Sequence, residues 1–439
     1  MKMNEIGCVP VRPDLARVYV EGWQSWSAAG LFPVSAPPPP VTNPESLVID
    51  CQYGRSAPEG VFQGSGLLAV DPGDGAPPEV FCAVDAASRV PVIQAALRGD
   101  RLVVSSDAPV AQRSDSGPGG ILGALGRWAD RLGPGAGALR PVPAVWCSWY
   151  QYYERVTALD VAANLDSMAS YDLPVEVVQI DDGYETHPGD WLTVRPGFGD
   201  LPELVRRIRD TGRRAGIWIA PWLVGRSSAV FREHPDWLVR DPDSGEPVYA
   251  GSVVRDACFA LDLTNPAAAE YLVDVLRTMR GWGVDYFKID FCYAGAHQGV
   301  TAFREGLRLI RSAIGPEAML VACGAPTLAS VGLVDAMRIG PDIAAVYESA
   351  DGLLSTPSQR NATRNVMGRI WQHGRFWIND PDCMMLRPSV ERREDWAAVV
   401  ARFGGVRASG DGLDQLDSWG LATTRALLRP SPVEACTPA

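Results

Sequence analysis

Lys288 and Asp290 stand two residues apart in Tyr286-Phe287-Lys288-Ile289-Asp290-Phe291. On a strand that spacing puts both side chains on one face, while Phe287, Ile289 and Phe291 turn to the other. The chain holds two lysines, Lys2 and Lys288, and every other strong base is arginine. A compact ammonium and a planar guanidinium are not interchangeable, so a lone internal lysine marks a place that arginine does not fit. A structural ion pair is the bland reading. At the end of a strand the functional one is favoured: a neighbouring cation keeps a carboxylate ionised, as a nucleophile requires. Arg338 and Asp342 form a second set, and the Gly340-Pro341 turn between them brings both back to one side; a surface salt bridge is the alternative. Two carboxyls are what glycoside hydrolysis needs. In retaining enzymes they stand roughly 5–5.5 Å apart, one forming a glycosyl-enzyme while the other protonates the leaving oxygen. Asp181 and Asp182 are adjacent in Gln179-Ile180-Asp181-Asp182-Gly183-Tyr184. They read as acceptors for a pair of sugar hydroxyls, or as one inward ligand and one helix N-cap. Asn379-Asp380-Pro381-Asp382 adds a fourth acidic group. Trp146, Trp149, Tyr150, Trp191, Trp218, Trp222 and Trp377 gather near the same positions, where single tryptophans are core residues more often than ligand platforms.

These groups need elements that converge. After Val145, short apolar runs alternate with helical segments. Strands are predicted at 145–149, 175–180, 215–220, 284–289, 319–323, 336–339, 375–378 and 406–408. Thr157 with Asp160 reads as an N-cap pair. Thr264-Asn265-Pro266 opens another helix, with Leu272, Val275, Leu276 and Met279 on its buried face. Eight strand–helix units predict an α/β fold, a (β/α)8 TIM barrel, whose active site lies at the C-terminal strand ends. The carboxylates named above fall at four such ends. The first ~135 residues are poor in helical periodicity and rich in breakers, including Pro37 to Pro40 and a Pro/Gly cluster at 71–78. Strands at 66–70, 80–84 and 90–97 make this a β-rich N-terminal domain. The expected organisation is a β-rich domain over 1–135, a linker over 132–142, a catalytic barrel over 141–430 and a tail over 431–439.

The 439 residues suit one large domain plus a smaller one, and an apolar fraction of 46% fills a sizeable core. The net charge of −12, without a Lys/Arg cluster, speaks against a nucleic-acid partner. No apolar run of ~18 residues predicts a membrane span. Nine scattered cysteines without CxxC spacing, and no signal-like start, predict reduced thiols and a cytoplasmic protein. Four histidines, none at HxH or HExxH spacing, predict no metal. No GxGxxG after a strand and no Walker motif predict no nucleotide cofactor.

Six stretches occur in the order seen in glycoside hydrolase family 36: Trp146 to Tyr150, Gln179 to Asp182, Gly216-Ile217-Trp218-Ile219-Ala220-Pro221, Tyr286 to Phe291, Met337 to Asp342 and Trp377 to Asp382. The chain resembles the bacterial α-galactosidases, or melibiases, of that family over roughly Trp146 to Asp382. The resemblance implies a retaining glycosidase acting on terminal α-galactosyl residues, without cofactor, with Asp290 as nucleophile and Asp342 as general acid/base. It implies Asp181 and Asp182 on the galactose 4- and 6-hydroxyls, Lys288 on the 3- and 4-hydroxyls and Arg338 on the 2-hydroxyl. Trp218, Cys323 and Gly324 would line the sugar pocket. Trp191 is a further candidate for substrate binding, and a homo-oligomer is compatible. Gly22-Trp23-Gln24-Ser25-Trp26 resembles an N-terminal motif of the family, and by that likeness Trp23 reaches over the active site. Family members carry a longer N-terminal β-sandwich before this motif and a C-terminal β-domain. With 22 residues ahead of Trp23, the expectation is a trimmed member or a start downstream of the true one.

Four other readings stay open. The family also holds α-N-acetylgalactosaminidases and galactosyl transferases, and the small Gly324 and Ala325 would admit an acetamido group. A Schiff-base lyase would use Lys288, although Asp290 beside it keeps the ammonium charged. A metal-dependent hydrolase is weaker still, given the histidine spacing. A catalytically inactive galactoside-binding protein is the non-enzyme reading.

Overall fold

The computed structural model describes residues 2–132, 139–253 and 256–429. The N-terminal part packs two antiparallel sheets face to face. One holds, in spatial order, Asn4–Pro10, Arg101–Ser106, Val92–Arg98 and Val61–Ser65; the other holds Gly30–Pro33, Arg17–Val20, Leu67–Asp71, Glu79–Ala83 and Val110–Ser114. Alternation along the strands decides what each face covers. Val18, Val20, Leu68, Val70 and Phe81 point into the sandwich against Phe62, Ile93, Leu102 and Val104. Tyr19, Leu67, Ala69, Val80 and Cys82 point the other way and join the barrel's core. A sheet buried on both faces explains the unbroken apolar run at Leu67 to Val70.

The low helical content expected of the first 135 residues needs correction. Pro44–Asp50 and Gly120–Leu132 are helices. The second starts on Gly119 and Gly120, both with positive φ, and those breakers hide it. Its buried residues, Ile121, Ala124, Leu125, Trp128 and Ala129, nevertheless follow helical spacing. Most of the expected linker, 133–138, lies outside the described residues.

All eight predicted barrel strands are present: Val145–Cys147, Val177–Ile180, Arg214–Ile219, Val284–Ile289, Met319–Ala322, Ala336–Arg338, Ile378–Asp380 and Ala408–Ser409. They form one parallel sheet in chain order, with the last strand beside the first. The sheet closes where Val406 N donates to Asn379 O (2.9 Å) and Met384 N to Ala408 O (2.7 Å). The seventh strand begins three residues later than expected, because Arg375 and Phe376 are tied to Gln372 O in a turn. The helix Ala158–Ser170 opens on a capping box between Thr157 and Asp160. Asn265 caps Pro266–Trp282, whose Leu272, Val275, Leu276 and Met279 are buried as predicted. A small antiparallel sheet, Leu223–Gly225, Asp256–Ala260 and Tyr249–Val253, rises after the third barrel strand, and its last member packs on Pro44–Asp50. Among the described residues no helix is long and apolar enough to cross a membrane.

Candidate active site

A cavity of about 320 Å³ opens at the C-terminal strand ends. Asp181, Asp182, Trp218, Lys288, Asp290 and Asp342 all line it, so groups from four strand ends, the second, third, fourth and sixth, meet in one place. Asp290 follows the fourth strand and is 7% exposed. Its Oδ2 accepts from Trp218 Nε1 (2.9 Å) and its Oδ1 from its neighbour Phe291 N (2.8 Å). Burial pushes its pKa up, against the pull of the Lys288 ammonium and the Trp218 N–H; the Asp342 charge adds to the rise. Phe291 takes a left-handed backbone (φ 50°), the kind of local strain that gathers at functional strand ends.

Lys288 does not bond to Asp290 directly. Its Nζ lies 3.0 Å from Asp181 Oδ2, reaching from the fourth strand across the third to the end of the second. Burial would depress the ammonium, but Asp181, with Cys147 and Asp290, outweighs it and holds the pKa well above the ordinary lysine value. A charged ammonium is a poor Schiff-base nucleophile, which counts against the lyase reading. Asp181 also accepts from Gln179 Nε2 (2.5 Å) and Cys147 Sγ (3.3 Å), while its N–H donates to Ser148 Oγ (2.9 Å).

Arg338 is 1% exposed and does not line the cavity. Its Nη2 donates to Asp342 Oδ1 (2.6 Å), to Tyr150 Oη (3.1 Å) and to Asp382. Its expected place on a substrate hydroxyl therefore gives way to a place behind Asp342. Asp382 also accepts from Tyr150 Oη and Ile343 N, and burial raises its pKa to about 7 against the pull of Arg338. This buried cluster was not legible as a unit, although Asp382 was visible as a strand-end carboxylate.

Three further expectations need correction. Trp26, not Trp23, enters the cavity. Trp23 lines a separate hollow with Cys51, Tyr53, Tyr293 and His297. Trp26 Nε1 donates to Cys323 Sγ (3.2 Å), and its ring stands edge-on to Phe291 at 5.2 Å. Trp191 is buried behind Trp218, ring centroids 5.8 Å apart, and is off the cavity wall. Cys323 and Gly324 are also one layer back. Gly324 N donates to Ser25 Oγ (2.8 Å), its φ is +57°, and a Cβ there would meet Trp26 Cη2 at 3.1 Å.

Apart from Trp149, which the sequence placed among the strand-end aromatics, the outer wall escaped sequence reasoning. Ser46, Ile49 and Asp50 come from the helix Pro44–Asp50, Ser252 and Val253 from the small sheet, Ser355 to Pro357 from the loop after the sixth strand, and Trp149 from beyond the first. Nothing in a seven-residue polar helix of the N-terminal part announces that it faces the mouth of a barrel.

Comparison with known proteins extends this picture. A family profile described as Melibiase matches residues 138–302. Two curated relatives are the A type blood α-D-galactosamine galactosaminidase of Flavonifractor plautii, 29% identical over 167 residues, and the bifunctional α-galactosidase/sucrose kinase AgaSK of Mediterraneibacter gnavus, 32% identical over 157 residues. The matches take in 35% and 34% of this chain, but only 15% and 16% of those relatives' lengths. Among solved structures, the α-galactosidase TtGalA of Thermus thermophilus, in complex with p-nitrophenyl α-D-galactopyranoside, superposes with a TM-score of 0.80 at 29% identity. That match covers 97% of this chain and 92% of the other. The fold and the strand-end carboxylates define a barrel of the glycoside hydrolase class. Within that class, the chain is similar to the melibiases of glycoside hydrolase family 36, by the profile over 138–302 and by the superposition on TtGalA.

Proposed function

We propose that the protein is a retaining α-galactosidase that removes terminal non-reducing α-D-galactosyl residues from galacto-oligosaccharides. The observation that carries this reading is the shared cavity of Asp290 and Asp342, with the Lys288–Asp181 pair at its side. Asp290 attacks the anomeric carbon while Asp342 protonates the departing oxygen. Asp342 then takes a proton from the water that releases galactose from Asp290. Asp181, Asp182 and Lys288 hold ring hydroxyls, and Arg338 aims Asp342 from behind. The α-galactosidase names of AgaSK and TtGalA agree with this reading, whereas the Flavonifractor plautii relative is named for α-D-galactosamine, and TtGalA has also been captured with stachyose.

Galactose is favoured over its N-acetyl analogue by a specific contact. Gly324, which would admit an acetamido group, is backed by the Trp26 ring, and Ala325 beside it is fully buried. Release of p-nitrophenol from the α-galactoside, at least tenfold faster in kcat/KM than from the α-N-acetylgalactosaminide, is the expected result. No turnover of either glycoside by folded protein would leave the inactive binding protein as the better account.

Trp218→Phe tests the environment of Asp290. It keeps the aromatic volume and removes the N–H at 2.9 Å. A hydrogen bond to a charged group contributes about 1.5–3 kcal/mol, so kcat on the aryl galactoside should fall about 10- to 100-fold. Steady-state kinetics across pH would check it, since loss of the donor also moves the Asp290 ionisation upward.

A further inference from the structure

The cavity has two parts of different origin. Asp181, Trp218, Lys288 and Asp290 come from barrel strand ends and form its inner part, whereas the helix Pro44–Asp50, the small sheet and the 355–357 segment form its outer wall. In the proposed reaction the inner part holds the terminal sugar, so the departing group lies against the outer wall. That wall is lined with hydroxyls, from Ser46, Ser252, Ser355 and Thr356, and carries one carboxylate of its own, Asp50.

Asp50 differs from Asp181 and Asp342 in having no cation beside it among the described residues. Asp181 has Lys288 and Asp342 has Arg338. Among the described residues no lysine or arginine pairs with Asp50. Its Oδ1 accepts a long bond from Gln24 Nε2 (3.3 Å), and the Ser355 hydroxyl supports it as well. Burial raises its pKa to about 6 against those two bonds. A carboxylate withdrawn from water and served by two neutral donors has lone pairs left for more. A sugar in the departing position supplies hydroxyls for them; an aryl group does not.

We infer that Asp50 is a specificity-determining residue, accepting hydrogen bonds from the hydroxyls of a sugar leaving group and so favouring oligosaccharides over aryl galactosides. The inference rests on the proposed galactosidase reaction. A site built to bond a hydroxyl discriminates strongly against a ligand that lacks one, because its own polar group is left unpaired. The chemical class of the preferred substrate is therefore a galactoside whose aglycone is itself a polyol or sugar.

The test measures kcat/KM for raffinose and for p-nitrophenyl α-galactoside in the wild type, Asp50→Asn and Asp50→Ala, with thermal melting to verify folding. The ratio of raffinose to aryl turnover should fall about 10- to 50-fold in Asp50→Ala. It should fall less in Asp50→Asn, which keeps one acceptor oxygen. Loss of both substrates by the same factor would make Asp50 a support for the Gln24 loop and overturn the inference, as would a ratio that stays within about twofold. A wild type that cleaves neither glycoside sinks the proposed function and this inference with it. A wild type that cleaves both, with no change of ratio, sinks the inference alone.

Discussion

Asp290→Ala is expected to lower turnover of an aryl α-galactoside on the order of 10⁴-fold or more while leaving the fold intact. Removal of an activated nucleophile leaves only binding and electrostatic stabilisation, and losses of this size follow when it acts in concert with an acid/base. The substitution vacates the place where Trp218 Nε1 and Phe291 N now meet a carboxylate, so both donors remain to receive a small anion. Azide should therefore restore part of the rate and give the β-galactosyl azide, by a single inverting displacement. Asp342→Ala should behave differently. It should keep substantial activity on a good leaving group, and azide should give the α-galactosyl azide through the intact glycosyl-enzyme. Product configuration by NMR reads out the two roles separately. Identical azide anomers from the two variants would defeat the assignment of nucleophile and acid/base.

The second large effect lies at the junction of the two parts of the chain. Arg369 is fully buried and uses all five of its donors. Nε bonds to Glu21 Oε1 (2.8 Å), Nη1 to the carbonyls of Ser25 (2.5 Å) and Ile339 (3.0 Å), and Nη2 to those of Gln24 and Ser27 (3.2 Å each). Glu21 in turn accepts from Tyr19 Oη (2.7 Å) and Gln372 Nε2 (2.9 Å). Arg369→Leu leaves a buried carboxylate without its cation and removes a donor from four carbonyls, of which Gln24 O keeps Ser27 N (3.0 Å) and Ser27 O keeps Asn365 Nδ2 (3.5 Å). Breaking a buried pair in this way costs about 3–5 kcal/mol, which urea denaturation would record. Arg369→Lys should recover little of it, since three donors on a point charge cannot replace a five-donor fork. Activity should fall as well, because the carbonyls released are those of the loop that carries Trp26. A loss below about 1 kcal/mol would mean that water replaces the guanidinium and that the loop holds itself.

The same residues show what a sequence discloses and where it stops. The barrel strands were legible because strands buried on both faces must be written as short apolar runs; Met319–Ala322 is such a run, and Val177–Ile180 is interrupted only by Gln179. The carboxylates were legible because they interrupt the apolar pattern at its ends. The partner of Lys288 was not. The rule of alternation placed it on the same face as Asp290, but its bond to Asp181 depends on the curvature that brings second and fourth strands within reach over the third. Trp23 and Trp26 are three residues apart in one loop, and which of them enters the cavity is settled by Arg369, more than 340 residues away. Asp50 was invisible for a similar reason: its helix is positioned by Tyr249–Val253, in the insertion after the third barrel strand.

The bond between Glu21 and Arg369 joins residues 348 positions apart, and through it the mouth of the barrel is completed by the sandwich. Heredity has to respect that. A recombination event exchanging the sandwich for that of a relative would separate the two charges unless both sides supplied them, and the recipient barrel would inherit an unneutralised cation beneath an unanchored tryptophan. The two partners are expected to be lost or replaced together across the lineage, which makes the sandwich and barrel one unit of evolution, as the shared core between them also implies.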